Sequence, residues 1–211
     1  MAKIPDGILG SFIGKAGPVS GHMWNGQNIL RPSSRRGATK PTPGRVAQQQ
    51  KIKLCNRFTK AFTGSGFFNK SFPSYGDTGT GYNRATSALM SQAIVGAYPD
   101  TWLSYPKILI SQGPLPAAEN AVATLQWDGN IFFTWTDNST TGIAQPDDKV
   151  ILVAYFPEEG NIIYSLNAGV RSDCQALLVN KDPQGYTAET WIGFISDDEK
   201  NASNSVYTGK L

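Results

Sequence analysis

The chain has 211 residues, 40% of them hydrophobic and 17% charged, and its formal net charge of +3 conceals a strong division. Residues 1–70 hold 12 basic side chains and one acid, Asp6, while residues 71–211 hold 7 basic and 15 acidic ones, so a part of charge +11 precedes a part of charge −8. This excludes general disorder, is long enough for a buried core, and directs a basic arm toward an anionic surface or an acidic neighbour.

The longest early apolar stretch, Ile8 to Ile13, is short, glycine-broken and followed by Lys15, so neither a secretion signal nor a membrane span is expected. Residues 1–40 carry glycines at 7, 10, 14, 17, 21 and 26. Gly10xxxGly14 and Gly17xxxGly21 have the spacing of helix-packing faces, but Lys15, Pro18 and the entropy glycine loses in a helix oppose one there. Asn25-Gly26 points instead to a hairpin, because a type I′ turn requires positive φ at both central residues. That turn pairs Trp24 with Gln27 and His22 with Ile29. A lone hairpin is marginal in water, so Val19, Met23, Trp24, Ile29 and Leu30 are expected to lie against the rest of the chain or a neighbouring subunit. The run from Arg31 to Pro43, with Arg35, Arg36 and Lys40 among prolines, reads as an extended basic connector.

Residues 41–105 read as a helical segment. Thr42 is placed to cap a helix whose first residue is Pro43. On that helix Leu54, Phe58, Ala61 and Phe62 share one arc and Lys53, Arg57 and Lys60 the opposite one. With Arg45, the basic stripe is either a solvated face or a contact for phosphate or an acidic partner. Residues 63–82 place five glycines among Phe67, Phe68, Phe72, Tyr75 and Tyr82, a loop ordered by packing or, alternatively, a platform for stacked bases. A second helix is predicted from Arg84 to Ala97, ended by Pro99.

From residue 106 onward the periodicity becomes that of strands. Lys107–Ser111, Ala121–Trp127, Asn130–Thr136, Lys149–Phe156, Asn161–Asn167, Gln175–Asn180, Thr187–Ser196 and Ser203–Thr208 are rich in β-branched and aromatic residues and separated by turn signals. Ile131, Phe133 and Trp135 alternate with Phe132, Thr134 and Thr136, so one face is core, while Val150–Tyr155 is apolar on both faces, as a strand covered on both sides would be. The fold class predicted is mainly β with a small α portion: an arm over 1–40, helices over 41–105, and an antiparallel β-sandwich of immunoglobulin or fibronectin III kind over 106–211.

Several motifs recur in one order: MAKI with Gly7-Ile8-Leu9-Gly10, then Gly14-Lys15-Ala16-Gly17-Pro18-Val19, then Trp24, Gly26 and Arg31. Pro43, Gln48 and Phe58 follow, then Tyr82-Asn83, Gly96xTyr98-Pro99, Leu109xxxGly113xLeu115, Trp135, Tyr155, Ala168xxArg171 and Val206-Tyr207-Thr208-Gly209. In these the chain resembles an uncharacterised group of proteins of about this length from Bacteroidota bacteria and their mobile elements. It departs from that group at Gln50-Lys51, where an Arg is usual, and in its glycine- and aromatic-rich loop. The resemblance implies architecture and no activity. The Pro41-Thr42-Pro43 run with Gln48 is also similar to a segment of phage structural proteins.

The chemistry of a reaction is missing. His22, the only histidine, sits in the glycine-rich hairpin, and no phosphate loop, dinucleotide fingerprint or zinc spacing occurs. Cys55 and Cys174 read as buried thiols, with a disulfide or a reactive thiol as alternatives. Asp137, Ser139, Thr141 and Asp148 occupy positions 1, 3, 5 and 12 of a calcium-loop spacing with Gly142 at 6, though a plain hairpin loop accounts for them too. Arg171, an isolated cation, is expected either to pair with an acid such as Asp173 or to meet another subunit.

The expectation is therefore a structural assembly protein, phage-like or element-encoded, with no catalytic residue, cofactor, membrane or small-molecule substrate. It would be made in the cytoplasm and carried in a virion or other assembled particle. Copies would join head to tail, basic arm against acidic body. The alternative is a nucleic-acid-binding module that uses Arg31, Arg35, Arg36, Lys40, Arg45, Lys53, Arg57 and Lys60. A third reading is an adhesin or carbohydrate-binding sandwich.

Overall fold

Asn25 and Gly26 take φ values of 47° and 75°, the pair that a type I′ turn needs, and around them β2 (Val19–Trp24) folds back on β3 (Gln27–Pro32). The computed structural model describes residues 3, 10–33, 40–76, 79–180 and 187–211. Trp24 faces Gln27 and His22 faces Ile29, the register that the turn dictates. A second tight turn, Gly17-Pro18 with Gly17 at φ 57°, joins β1 (Gly14–Ala16) to β2. Glycine first and proline second is the chemistry of a type II′ turn. The result is a three-stranded antiparallel ribbon in the order β1-β2-β3. Gly21 is its one buried position, and a methyl group there would meet the Phe12 carbonyl at 2.2 Å. This ribbon belongs to one of two compact units, Met1–Thr42; the other is Pro43–Leu211.

The second unit begins with α1 (Pro43–Lys60), which buries Cys55, Phe58 and Thr59 and ends on Arg57 and Lys60, cations favourable at a helix C-terminus. The aromatic loop follows as packing. Phe62, Phe67, Phe68 and Phe72 are all buried in edge-to-face or tilted contacts 4.7–5.8 Å between centroids, so none of them offers a base-stacking platform. Within it lies α2 (Phe67–Ser71), and then α3 (Gly81–Ala88), capped by Thr80, whose Oγ1 accepts the Asn83 N–H at 3.3 Å. A methyl group on Gly81 would lie 1.9 Å from the Phe68 carbonyl, so glycine lets the two helices touch.

The expected second helix starts earlier and stops sooner than its spacing predicts. A π-helical turn over Leu89–Ala93 ends it, and Ile94–Val95 (β4) pairs with Trp102–Leu103 (β5) across a turn holding Gly96 at φ 88°. β-branched Ile94 and Val95 prefer that extended pairing to another helical turn.

Seven strands make the sandwich. β6 (Glu119–Leu125), β7 (Ile131–Thr136) and β10 (Gln175–Leu178) form one sheet in the order β10-β7-β6. β8 (Lys149–Phe156), β9 (Asn161–Ser165), β11 (Glu189–Ile195) and β12 (Val206–Lys210) form the other, ordered β12-β11-β8-β9. All pairs are antiparallel. Compared with a constant-type immunoglobulin domain, the fourth strand has joined the sheet of the third. The expected strand over 107–111 is absent: a 3₁₀ turn covers Tyr105–Lys107, and beyond it the Ile110 N–H donates to the Ser205 hydroxyl at 2.9 Å where a ladder carbonyl would stand.

Every residue of β8 from Val150 to Phe156 is buried. Val150, Leu152, Ala154 and Phe156 pack with Ile131, Phe133, Trp135, Ile192 and Phe194 between the sheets. Ile151, Val153 and Tyr155, with Trp191, pack with Phe58, Phe67 and Leu89. The helices thus cover the outer face of the four-stranded sheet, giving three layers. The apolar arc of α1 is covered by that sheet and by the aromatic loop, within the unit Pro43–Leu211.

Candidate functional site

The ribbon has two chemically different faces. Directly opposed residues share a face and alternate along a strand, so Val19, Gly21 and Met23 lie with Leu30 and Pro32 on one side, joined by Ala16. Val19, Met23 and Leu30 are exposed by 38%, 45% and 59%, and among the described residues no buried apolar cluster includes any part of the ribbon. Trp24 and the half-buried Ile29 occupy the other face with His22, so the five residues expected at an interface divide between two surfaces.

On that other face Lys15, Ser20 and Arg31 form one cross-strand row, which sets the two cations roughly 10 Å apart. Lys15 has no place among the basic residues singled out from sequence. The Gly17-Pro18 turn, which carries it onto the Arg31 row, was the signal available. Lys40 is exposed, whereas Arg35 and Arg36 lie outside the described residues. On α1, Lys53, Arg57 and Lys60 are exposed on one side and make no ion pair among the described residues; Arg45 is exposed as well.

Arg171 is not at a surface. It is 0% exposed, its Nε donates to Asp148 Oδ2 at 3.0 Å, and its guanidinium carbon lies 3.8 Å from the Phe194 ring centroid. Nη1 donates to Asn138 Oδ1, and Nη2 to the Pro116 carbonyl at 3.2 Å. The Arg171 carbonyl accepts the Trp135 indole N–H at 2.8 Å. Burial pulls the guanidinium below its ordinary value and the Asp148 carboxylate opposes that shift. A buried cation needs such a set of acceptors, so Arg171 pins the β7–β8 loop to the sandwich and is unavailable to another subunit. Its partner is Asp148; Asp173 instead accepts the Val170 N–H at 2.9 Å.

The same contacts correct the calcium reading. Asp148 is 1% exposed and turned inward to Arg171 and the Gln145 N–H. Asp137 holds the Ser139 N–H at 2.9 Å, and hydrogen bonds from Ser139 keep its carboxyl below the usual range. Asp137, Ser139, Thr141 and Asp148 therefore do not converge, and among the described residues no three His, Cys, Asp or Glu side chains gather to hold a metal. Cys55 is a buried free thiol whose pKa burial pushes up, but Cys174, also free, is only half-buried.

One cleft in the second unit, of about 670 Å³, is lined by Phe72, Tyr75, Arg84, Gln92, Gln112 and Asn204 among others. Its cation is already engaged: Arg84 donates to the Phe72 carbonyl at 2.6 and 3.0 Å and to the Gly79 carbonyl at 3.0 Å. Among the described residues no helix is long and apolar enough to cross a membrane.

A model described as "Family of unknown function (DUF6266)" matches residues 11–209. No curated protein and no solved structure matches the chain.

Proposed function

From a chain that belongs to the DUF6266 family, we propose a structural protein that assembles with copies of itself through its N-terminal ribbon. The observation that carries this reading is the apolar face of that ribbon: Val19, Met23 and Leu30 stand exposed on a sheet without a core of its own. Burying such a face is the main favourable term in association, and three short strands gain little stability until it is covered. The setting assigned, a phage-like or mobile-element particle made in the cytoplasm of Bacteroidota bacteria, rests on two resemblances: the ordered motifs from MAKI to Val206-Tyr207-Thr208-Gly209 for the bacterial group, and the Pro41-Thr42-Pro43 helix start for phage structural proteins. Sedimentation velocity tests the reading. The mean mass should rise with concentration, and Met23→Asp with Leu30→Asp should return the chain to monomer; a wild-type monomer at every concentration and salt would refute it.

The cationic face supports a second reading, nucleic-acid binding. Lys15, Arg31 and Trp24 share that face, and cations beside an aromatic ring suit a single-stranded backbone and its bases. If six cations of the ribbon, connector and α1 meet phosphates, affinity should fall on the order of 10³-fold between 50 and 200 mM salt. Absence of binding to DNA and RNA at low salt rules it out.

A further inference from the structure

We infer that the outer face of the β10-β7-β6 sheet is the surface on which the ribbon of a second copy docks. The inference rests on the self-assembly reading above and names the receptor that reading lacks.

Three observations carry it. First, among the described residues nothing packs on this face. The opposite sheet has helices on its outer side, but here Val122, Leu177 and Val179 are exposed by 51%, 44% and 53%. Two cross-strand rows build the face, Leu177 beside Phe132 beside Thr124 and Gln175 beside Thr134 beside Val122, with Val179 continuing the first strand. A sheet face with this apolar content, left exposed among the described residues, marks an interaction site.

Second, its charge is of one sign. Residues 108–148 and 172–180, which supply all three strands and most of their loops, contain no Lys or Arg. They place Glu119, Asp128, Asp137, Asp147 and Asp173 in solvent at both ends of the sheet. The ribbon is the complement: residues 10–33 contain no acid and carry Lys15 and Arg31 behind an apolar face. Apolar stripe meets apolar stripe, while Lys15 and Arg31, on the far side of the docked ribbon, add long-range attraction to the acidic sheet rather than direct ion pairs.

Third, an anchor stands ready at one end. Trp127, at the tip of the β6–β7 hairpin, is 95% exposed. The tip beneath it is fixed. Gly129 N–H donates to the Gln126 carbonyl at 3.0 Å, and the Asp128 carboxylate accepts from the Asn130 N–H and amide at 3.0 and 2.7 Å. Asn130 in turn accepts the Asn180 N–H at 2.8 Å, tying the tip to β10. A large indole held on an ordered turn loses little entropy on binding, and tryptophan is the commonest type of hot spot.

Ribbon and sheet are different surfaces of one chain, so the contact is heterologous and propagates into a ring or a filament. Full-length variants test it by sedimentation, with circular dichroism as the check on folding. Leu30→Asp blocks the ribbon and Leu177→Asp blocks the sheet; each alone should be monomeric, and an equimolar mixture should form dimers that grow no further. Trp127→Ala should weaken assembly roughly 30-fold, and because that side chain is solvent-exposed its result decides the matter should Leu177→Asp unfold. If Leu177→Asp and Trp127→Ala assemble as wild type while Leu30→Asp does not, the receptor is elsewhere and self-assembly through the ribbon stands. A mixture that stays monomeric also overturns the pairing. If Leu30→Asp assembles as wild type, assembly through the ribbon falls, and this inference with it.

Discussion

β7 and β8 lie in opposite sheets of the sandwich, and their outer sides meet different fates. The outward residues of β8, Ile151, Val153 and Tyr155, are 0–3% exposed beneath the helices, whereas those of β7, Phe132 and Thr134, are half-buried with no layer above them among the described residues. The same contrast runs through the neighbours, with fully buried Trp191 on β11 and half-exposed Leu177 on β10. A strand that is apolar on both sides declares that its own chain covers it twice. A strand whose outer side mixes Phe, Thr and exposed aliphatics, in a region without a single exposed cation, presents the surface to which we assign the ribbon of a second copy.

The largest effects should separate the two faces by stability. Phe58→Ala opens a cavity under the covered face and should cost about 3–5 kcal/mol, whereas Phe132→Ala should cost about 1 kcal/mol or less; urea unfolding of both variants measures the gap, and equal costs would erase the distinction. Arg171→Met should also cost about 3–5 kcal/mol by stranding Asp148, and adding Asp148→Leu should recover most of the loss. Thermal melts of the single and double variants check this pairing.

Alkaline titration sharpens the contrast more gently. Burial pushes the Tyr105, Tyr155 and Tyr207 hydroxyls above their ordinary value, and at Tyr207 the hydrogen bond to Glu189 adds to the shift. A raised pKa favours the neutral phenol in the folded state. Their contribution is therefore intact below a pH of about 10 and lost as pH rises through the folded values. Tyrosinate absorbance should rise late for these three, and unfolding free energy should fall above that pH. The smallest effect is acidic. Hydrogen bonds from the Ser196 hydroxyl and the Lys200 N–H hold Asp198 down to about 2, so its contribution is present above about pH 4 and disappears as pH falls toward 2. Asp198→Asn should flatten the stability profile in that window only, a change read by unfolding at graded pH.

Much of the architecture was legible in local patterns. Asn25-Gly26 announced its turn and its register, Pro43 the start of α1, and the doubly apolar Val150–Tyr155 the central strand. Each of these depends on chemistry within a few residues, such as a φ sign, a missing N–H or a two-residue period. The misses have a common cause in partners distant in sequence. Residues 107–111 have strand composition, yet Ser205, far along the chain, takes the Ile110 amide. Ile94 and Val95 continue a helical pattern until Trp102 and Leu103 offer a strand. For Arg171 the sequence offered Asp173 or another subunit, because nothing nearby in it shows Asn138, Asp148 and the Phe194 ring closing around the guanidinium.

The charge division, +11 up to and including Lys70 and −8 after it, is a property of the sequence alone, as are the turns and the helix start, because local propensity and period suffice for them. Which apolar residues share a face, that Lys15 stands in line with Arg31, that Arg171 is sealed away, and that one sheet is roofed while the other is bare were decided only in three dimensions. Strand pairing and layer order join residues tens of positions apart, and burial is a property of that arrangement rather than of any residue type.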